Sequence, residues 1–565
     1  MNVRRVLIAL IALLLLPAAA AAKPRHVEVQ LLGLNDFHGH LESTTPGTIA
    51  SSPSEPRVPA GGAEYLATHI RNLEADERNS LVVSAGDLIG ASPLLSALFH
   101  DEPTIEAMNR IGLDLNSVGN HEFDEGAAEL RRMQRGGCHP TDGCQDGTGF
   151  SGATFDFLAA NVVRERTGRT LFRPYAIRRF QGVKVGFIGM TLEGTPDIVS
   201  PSGVAGLDFL DEAETANRYA RELRRRGVRA IVVLLHEGGV QSQPGGVNDC
   251  NGISGPIVDI VGRTTKAVDL FVTGHTHSAY NCVIDGRPVT SASSFGRLVT
   301  DIDLTLDRRS RDVVEVAANN MIVTQNVFKA GDITQLIERY DAIAAPLRDR
   351  VIGRISADIT RTPDDSGENA AGNLIADAQL AATADPDTGG AVAAFMNPGG
   401  VRSDFTFAQG GSEGDGNVTY GESFTVQPFG NSLVTMTLTG AQLYETLKQQ
   451  WCGQGFARVL LPSATVAYSY DQSAAAALVG QPCAGAANPA SGLTIGGTPV
   501  DPAASYRITV NSFLADGGDL FSVLREGTDR LGGAVDTDAL EAYLAPSLDG
   551  APIAPPALDR IDVVP

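Results

Sequence analysis

The stretch Val27-Glu28-Val29-Gln30-Leu31-Leu32-Gly33-Leu34-Asn35-Asp36-Phe37-His38 decides how the rest of the chain is read. A largely apolar run of strand length ends in a carboxylate and an imidazole two residues apart. Four later runs end in a similar way. Residues 81–85 lead into Gly86-Asp87, 116–118 into Gly119-Asn120-His121-Glu122, 229–235 into His236-Glu237, and 270–273 into Gly274-His275-Thr276-His277. Residues 157–160 and 184–190 are further strand candidates. Between the strands, stretches such as 63–76 and 212–226 carry apolar residues three or four apart. This alternation, running from Val27 to about Thr305, predicts a layered α/β domain with a mainly buried sheet. In such a sheet the loops beyond the carboxyl ends of the strands open into one crevice, so the five blocks are expected to meet. Residues 43–62 and 136–152, rich in Gly, Ser and Pro, read as surface loops.

The chemistry of the blocks is consistent with one another. Imidazole with carboxylate suits zinc, manganese or iron, whereas carboxylates and carbonyls alone would suit calcium. Two ions about 3.5–4 Å apart need a shared ligand, and a carboxylate can bridge them. Asp87, alone in its block, is the natural bridge. Asp36, His38 and one of the last two histidines can complete one ion, and Asn120, His236 and the other can complete the second. A single histidine after a strand is an ordinary loop residue; five such blocks in one chain are not. His40 neighbours the first block, while His26, His69, His100 and His139 have no such context and read as surface or structural histidines.

In this order, D-x-H, G-D, G-N-H-E-F-D, H-E and G-H-T-H resemble the calcineurin-like dinuclear metallophosphoesterases. N-P-G-G-V-R (Asn397 to Arg402), P-F-G-N (Pro428 to Asn431) and N-S-F-L-A-D-G-G-D (Asn511 to Asp519) resemble the C-terminal domain of 5′-nucleotidases. The resemblance spans nearly the whole mature chain. It implies an α/β fold with a four-layer metallophosphoesterase sandwich, a linker helix and a smaller α+β domain. It also implies two divalent cations, zinc or manganese, with Asp36, His38, Asp87 and His277 around one and Asp87, Asn120, His236 and His275 around the other. His277 stands where some relatives have glutamine. His121 and Asp124 match the family's catalytic pair, and Asn120 would help to stabilise charge on the phosphoryl oxygens. Residues three apart at a helix start can touch, so Asp124 can hold a protonated His121.

In the C-terminal region the resemblance assigns Phe429 and Phe513 to stacking on a base, Asn397 and Asn431 to base contacts, Asp519 to the ribose hydroxyls and Arg402 to anionic substrate groups. Read from chemistry alone, each phenylalanine is equally a packing residue; the other readings are a surface ion pair for Arg402, which the Gly399-Gly400 hinge before it disfavours, and, for Asp124, the less favoured one of an acid at a helix N-terminus. One departure stands out. Relatives with a strict nucleotide pocket carry an arginine shortly before the G-N-L helix start, here Gly372-Asn373-Leu374. This chain has Ser366-Gly367-Glu368 there, and its nearest arginine is Arg361, so one anchoring charge is expected to be missing.

At 565 residues the chain is too long for one core. Residues 333–348 form a helical pattern with Leu336, Ile337, Tyr340, Ile343 and Leu347 on one side. The expected division is a signal peptide at 1–22, a catalytic domain at 23–330, a linker helix at 331–352 and a nucleotide-binding domain at 353–565. The last is expected to hold a helix at 373–383 and β-like runs at 433–438 and 506–510. Arg4 and Arg5, the apolar run from Val6 to Leu16 and the small residues up to Ala22 have the layout of a secretory signal. That run falls well short of the roughly 20 residues needed to span a bilayer. The expected product is periplasmic or secreted, with no membrane span; nothing in the sequence fixes its oligomeric state. Six cysteines without C-x-x-C pairs suit structural disulfides more than a metal site. Of the many connectivities, neighbour pairing favours 138–144, 250–282 and 452–483.

Lysine and arginine number 44 against 66 acidic residues, a formal charge of −22. That balance excludes an unaided grip on a nucleic-acid polymer or an anionic membrane. Two divalent cations would supply the local positive charge that a phosphate substrate needs. The expected activity is release of phosphate from nucleoside 5′-monophosphates, with nucleoside di- and triphosphates and UDP-sugars as further candidates. The expected mechanism is in-line attack of a metal-activated hydroxide. The sibling alternative is a 2′,3′-cyclic-nucleotide 2′-phosphodiesterase with 3′-nucleotidase activity, against which Asp124 after G-N-H-E-F weighs. A non-enzymatic surface nucleotide-binding protein would first have lost ligands, and every ligand position is filled. The G-x-S-x-G string from Gly410 to Gly414, around Ser412, lacks the strand and helix of a nucleophile elbow, and no P-loop occurs.

Overall fold

The computed structural model describes residues 24–564 other than 45, 200–201, 242–244 and 412, so the expected signal peptide and Ser412 lie outside the described residues. Two six-stranded sheets form the N-terminal part. The first runs, edge to edge, Val313–Ile322, Leu298–Asp307, His26–Leu34, Ser80–Ser84, Leu113–Ser117, Asp156–Leu158. The second runs Ala279–Ile284, Arg287–Ala292, Leu270–Thr273, Ala230–His236, Val183–Thr191, Tyr175–Phe180. Side chains alternate across each strand, so each sheet has two apolar faces. Along Ala230–His236, Ala230, Val232 and Leu234 enter the core between the sheets, while Ile231, Val233 and Leu235 pack against the helices Glu212–Arg225 and Pro256–Arg263. Strand His26–Leu34 divides likewise: Val27, Val29 and Leu31 face the second sheet, and Leu32 and Leu34 face the opposite helical layer. The result is the expected sandwich of helices, sheet, sheet and helices.

Two expected strands have shifted ends. The run placed at 116–118 is strand Leu113–Ser117, and the one at 157–160 is Asp156–Leu158. Asp114 hides the former in the sequence, since its carboxylate is turned to the backbone N–H of Val82 (3.0 Å). The alternation expected up to 305 also gives way early. After Thr273 the chain forms two antiparallel hairpins that close an edge of each sheet. Asp285 and Gly286, with φ of 48° and 74°, make the first a two-residue turn.

Helix Gly331–Arg348 seats Ile333, Leu336 and Tyr340 in the first helical layer. Ile343, expected on the same side, is exposed. Beyond it lies a five-stranded sheet in which Ser432–Thr439 pairs antiparallel with Ser505–Asn511, and a four-stranded sheet containing Val466–Asp471. Helix Ala370–Thr383 begins three residues before the expected start, where the Asn369 side chain accepts from the Gly372 N–H (2.8 Å). Disulfides join Cys138–Cys144, Cys250–Cys282 and Cys452–Cys483, the favoured pairing. Among the described residues, no helix is long and apolar enough to cross a membrane.

Candidate metal centre and active site

Strands His26–Leu34, Ser80–Ser84 and Leu113–Ser117 are parallel, as are Val183–Thr191, Ala230–His236 and Leu270–Thr273. Their carboxyl ends open on one crevice and bring all five blocks together. Asp36, His38 and His277 offer ligand atoms within 4.8 Å of one another, and so do Asp87, His236 and His275. Asp87 lies between the two groups: its Oδ2 is 2.9 Å from His236 Nε2 and 3.7 Å from His38 Nε2. His277 Nε2 stands 3.4 Å from Asp36 Oδ1 and 3.1 Å from His38 Nε2. Asn120 Oδ1 lies 3.2 Å from His236 Nε2 and 3.1 Å from His275 Nδ1.

The surroundings fix which atoms point inward. His38 Nδ1 donates to the Gly90 carbonyl and His236 Nδ1 to the Ala85 carbonyl, each at 2.8 Å. A carbonyl can only accept, so in both rings Nδ1 carries the proton and Nε2 is left to face the crevice. This is the usual outer support of a metal-ligating histidine. Asp36, His38, Asp87, His275 and His277 all have left-handed backbones, with φ between 48° and 71°. Such non-glycine conformations cost roughly 1 kcal/mol or more each and persist where packing over-determines them. Gly119 passes so close to Asp87 that a Cβ there would lie 2.3 Å from Asp87 Oδ1, so only glycine fits.

Electrostatics sorts the imidazoles. Burial holds His38 well below its ordinary value, with Asp87 opposing. Burial and the neighbouring His236 push His275 down to about 3. Burial would lower His236 too, but Asp87 overrides it and lifts His236 to about 10. Burial opposes ionisation of Asp87, yet His236 and His121 pull it well below the carboxylate range. Neither Asp36 nor Asp87 pairs with a lysine or arginine among the described residues. Buried carboxylates and inward-facing imidazoles with no fixed cation of their own are a donor set that fits two divalent cations.

At the rim, His121 Nδ1 is 2.8 Å from Asp124 Oδ2, and the His121 N–H donates to Asp87 Oδ1 (2.9 Å). Burial lowers His121, but Asp124 and Asp87 together raise it above its ordinary value. The C-terminal part reaches this point. The Phe429 ring stacks near the His121 ring, 5.7 Å between centroids, and the Arg402 guanidinium lies 5.8 Å from the Phe429 ring. Burial, then the neighbouring Arg361, lowers Arg402, with Asp87, Asp124 and Asp36 opposing from beyond ion-pair distance. Arg361, which the sequence left without a role, donates to the Val401 carbonyl next door (3.4 Å). It therefore places its positive charge beside Arg402.

The remaining predicted residues form a second group. Asn397 donates to Asp519 Oδ2 (2.8 Å) and accepts from Asn511 (2.9 Å), so both ends of its amide are engaged. Phe513 lies over Gly518, where a Cβ would come within 2.5 Å of the ring. Asn431 accepts from the Ser512 hydroxyl (3.2 Å). No ring contact joins Phe429 to Phe513 among the described residues, and both rings are half-buried.

Three residues of the crevice had no role in the sequence reading. Glu122 accepts from the N–H groups of Asp87, Leu88 and Gly119 and so ties two ligand loops together. Asn35 donates to Asp36 Oδ2 (2.6 Å) and accepts from Ala292 N–H. Phe295 sets its ring edge-on to His38 and His277. Glu122 and Asn35 stand inside the quoted blocks, which was the available signal; Phe295 carried none.

The chain is similar to known proteins along most of its length. The calcineurin-like phosphoesterase family matches residues 29–279, and the 5′-nucleotidase C-terminal domain matches 351–526. The chain is 30% identical over 508 residues to an endonuclease of Bacillus subtilis, covering 87% of this chain and 37% of that protein. It thus spans little more than a third of that relative. It is 32% identical over 552 residues to a cell wall protein of Listeria monocytogenes, covering 92% of this chain and 67% of that protein. The crystal structure of a 5′-nucleotidase precursor from Thermus thermophilus aligns with a TM-score of 0.75 at 26% identity, covering 95% of this chain and 99% of that one. The chain therefore belongs to the 5′-nucleotidase family, with a calcineurin-like phosphoesterase domain followed by the family's C-terminal domain.

Proposed function

We propose that this chain is an exported phosphohydrolase that releases phosphate from nucleoside 5′-monophosphates. The observation that supports it best is the meeting of its two halves. Phe429 and Arg402 stand beside His121, which itself abuts the ligand Asp87. In this reading Asp36, His38, Asp87 and His277 hold one divalent cation, and Asp87, Asn120, His236 and His275 hold the other. Such ions, zinc or manganese, supply positive charge for a phosphoryl group and acidify a water.

The protein's own residues do the rest. Asp124 fixes His121 through Nδ1, which leaves Nε2 to donate to a non-bridging phosphoryl oxygen. Arg402, with Arg361 behind it, binds the anionic end of the substrate. Phe429 and Phe513 hold the base, and stacking of that kind contributes roughly 1–3 kcal/mol per base. Asp519 accepts from the ribose hydroxyls, while Asn397 holds Asp519 in place and Asn431 sits beside Ser512 at the same edge. Three disulfides suit a product folded in an oxidising compartment.

The test is a substrate panel on zinc- and manganese-reconstituted protein: AMP, 3′-AMP, 2′,3′-cyclic AMP, UDP-glucose and single-stranded DNA. AMP should be turned over best, and Asp87→Ala should lose both metal and turnover. Hydrolysis confined to the cyclic and 3′ substrates, or to DNA, would replace this reading.

A further inference from the structure

Two of the histidines without a motif, His100 and His139, come together beside the segment that follows His121 and Asp124. His100 stands between helices Leu94–Ala97 and Glu102–Ile111, with a left-handed backbone at φ 51°. Glu125 and Glu129 lie at the start of helix Gly126–Arg135, and His139 and Asp142 lie in the loop that Cys138–Cys144 closes. The His100 and His139 rings stack with centroids 3.7 Å apart. His100 Nδ1 is 2.7 Å from Glu125 Oε2, and its Nε2 is 2.8 Å from Asp142 Oδ2. His139 Nδ1 is 3.3 Å from that same Asp142 oxygen. One ligand atom each from His100, Glu125, Glu129 and His139 lies within 4.8 Å of the others.

We propose that His100, His139, Glu125 and Glu129 form a third, structural cation site, specific for zinc-like divalent ions, that pins the disulfide loop to the segment following His121 and Asp124. The ligand chemistry selects the ion. Two imidazoles with carboxylates suit zinc and its neighbours and disfavour calcium and magnesium, which take oxygen ligands. Zinc bonds of about 2.0–2.2 Å need the four donors to close in by only modest side-chain rotation.

Charge favours a cation as well. Among the described residues no lysine or arginine pairs with Glu125 or Asp142, which are answered only by the histidines, and Glu129 shares Arg132 (2.9 Å) with Glu102. A cation would also supply what the loop lacks, because no residue from 137 to 149 is buried. The loop is held by its disulfide, by these polar contacts and by the pairing of Asp146 with Arg339 (3.4 Å), not by an apolar core. The hydrogen bond to Glu125 raises His100 to about 9, so a proton competes with the ion for this ring and binding should tighten as pH rises.

The site stands whether or not the crevice hydrolyses nucleotides. The experiment is zinc content per chain after reconstitution of chelator-stripped full-length protein, measured by mass spectrometry of the desalted sample. The variants His139→Ala and Glu125→Gln should each carry one zinc fewer than wild type, and His139→Ala should keep aryl-phosphate turnover. Equal zinc content in wild type and both variants would overturn the proposal. If His139→Ala fails to fold, Glu125→Gln, which keeps the side-chain shape, decides the question.

Discussion

Glu122→Gln puts a magnitude on how the crevice is built. The Glu122 carboxylate is 3% exposed and accepts four hydrogen bonds. They come from the N–H groups of Asp87 (3.0 Å), Leu88 (3.1 Å) and Gly119 (2.8 Å) and from the Asn116 amide (3.2 Å). All four partners are donors, so an ionised carboxylate satisfies them best. Burial and then the charge of Asp87 raise its pKa, and a cation on Asp87 removes the second of these causes. Glutamine keeps the shape but turns an NH₂ toward two of the four donors. An orphaned buried donor costs about 1–3 kcal/mol, so the variant should lose roughly 2–6 kcal/mol of stability in the domain that carries it. The loops bearing Asp87 and Asn120 lose their common anchor, and outer-support substitutions of this kind weaken metal binding about 10–100-fold. Competition with a zinc chelator would measure the affinity, and urea unfolding of stripped protein the stability. Affinity within about twofold of wild type, with stability changed by less than about 0.5 kcal/mol, would refute Glu122 as the anchor of the two loops.

Three further outcomes are expected. His121→Ala should retain its metals but lose about 10²–10⁴-fold in turnover, and unchanged turnover would remove His121 from the chemistry. Phe513→Ala should raise KM for AMP by roughly 5- to 150-fold, matching about 1–3 kcal/mol of stacking, and leave that for a small aryl phosphate nearly untouched. Equal effects on both substrates would make Phe513 a packing residue. In chelator-stripped protein, His100 is raised from 6.5 to about 9 by its bond to Glu125, with burial opposing and Asp142 assisting. A raised folded-state pKa gives stability that is fully present below 6.5 and lost as pH climbs through about 9. The stability gap between wild type and His100→Gln should therefore shrink across that window, and a gap independent of pH would contradict the ion pairing.

Much of the architecture was legible because it follows local rules. Strand 270–273 and the helix near 212–226 announce themselves by period alone, and a buried parallel strand tolerates little but apolar residues. Strand Leu113–Ser117 was harder to place, because Asp114 is satisfied by the Val82 N–H on the neighbouring strand and so breaks the apolar run. The antiparallel hairpins after Thr273 were missed although Asp285-Gly286 marks the first turn. Their strands mix polar and apolar residues, and each has its proper partner only once the sheets exist.

The sequence by itself determined that the blocks of histidines and carboxylates stand at strand ends and would meet. A strand must be followed by a turn, and a parallel sheet must gather those turns at one edge. What only the tertiary structure decided is how the side chains divide the work. Asp87 stands between His38 and His236, Glu122 clasps two loops, Arg361 stands beside Arg402 and lowers it, and His100 meets His139. Each of these depends on distances between segments remote in the chain. Periodicity constrains a residue's own neighbours along a helix or strand, and it says nothing of the facing atoms that set charge, tautomer and reach.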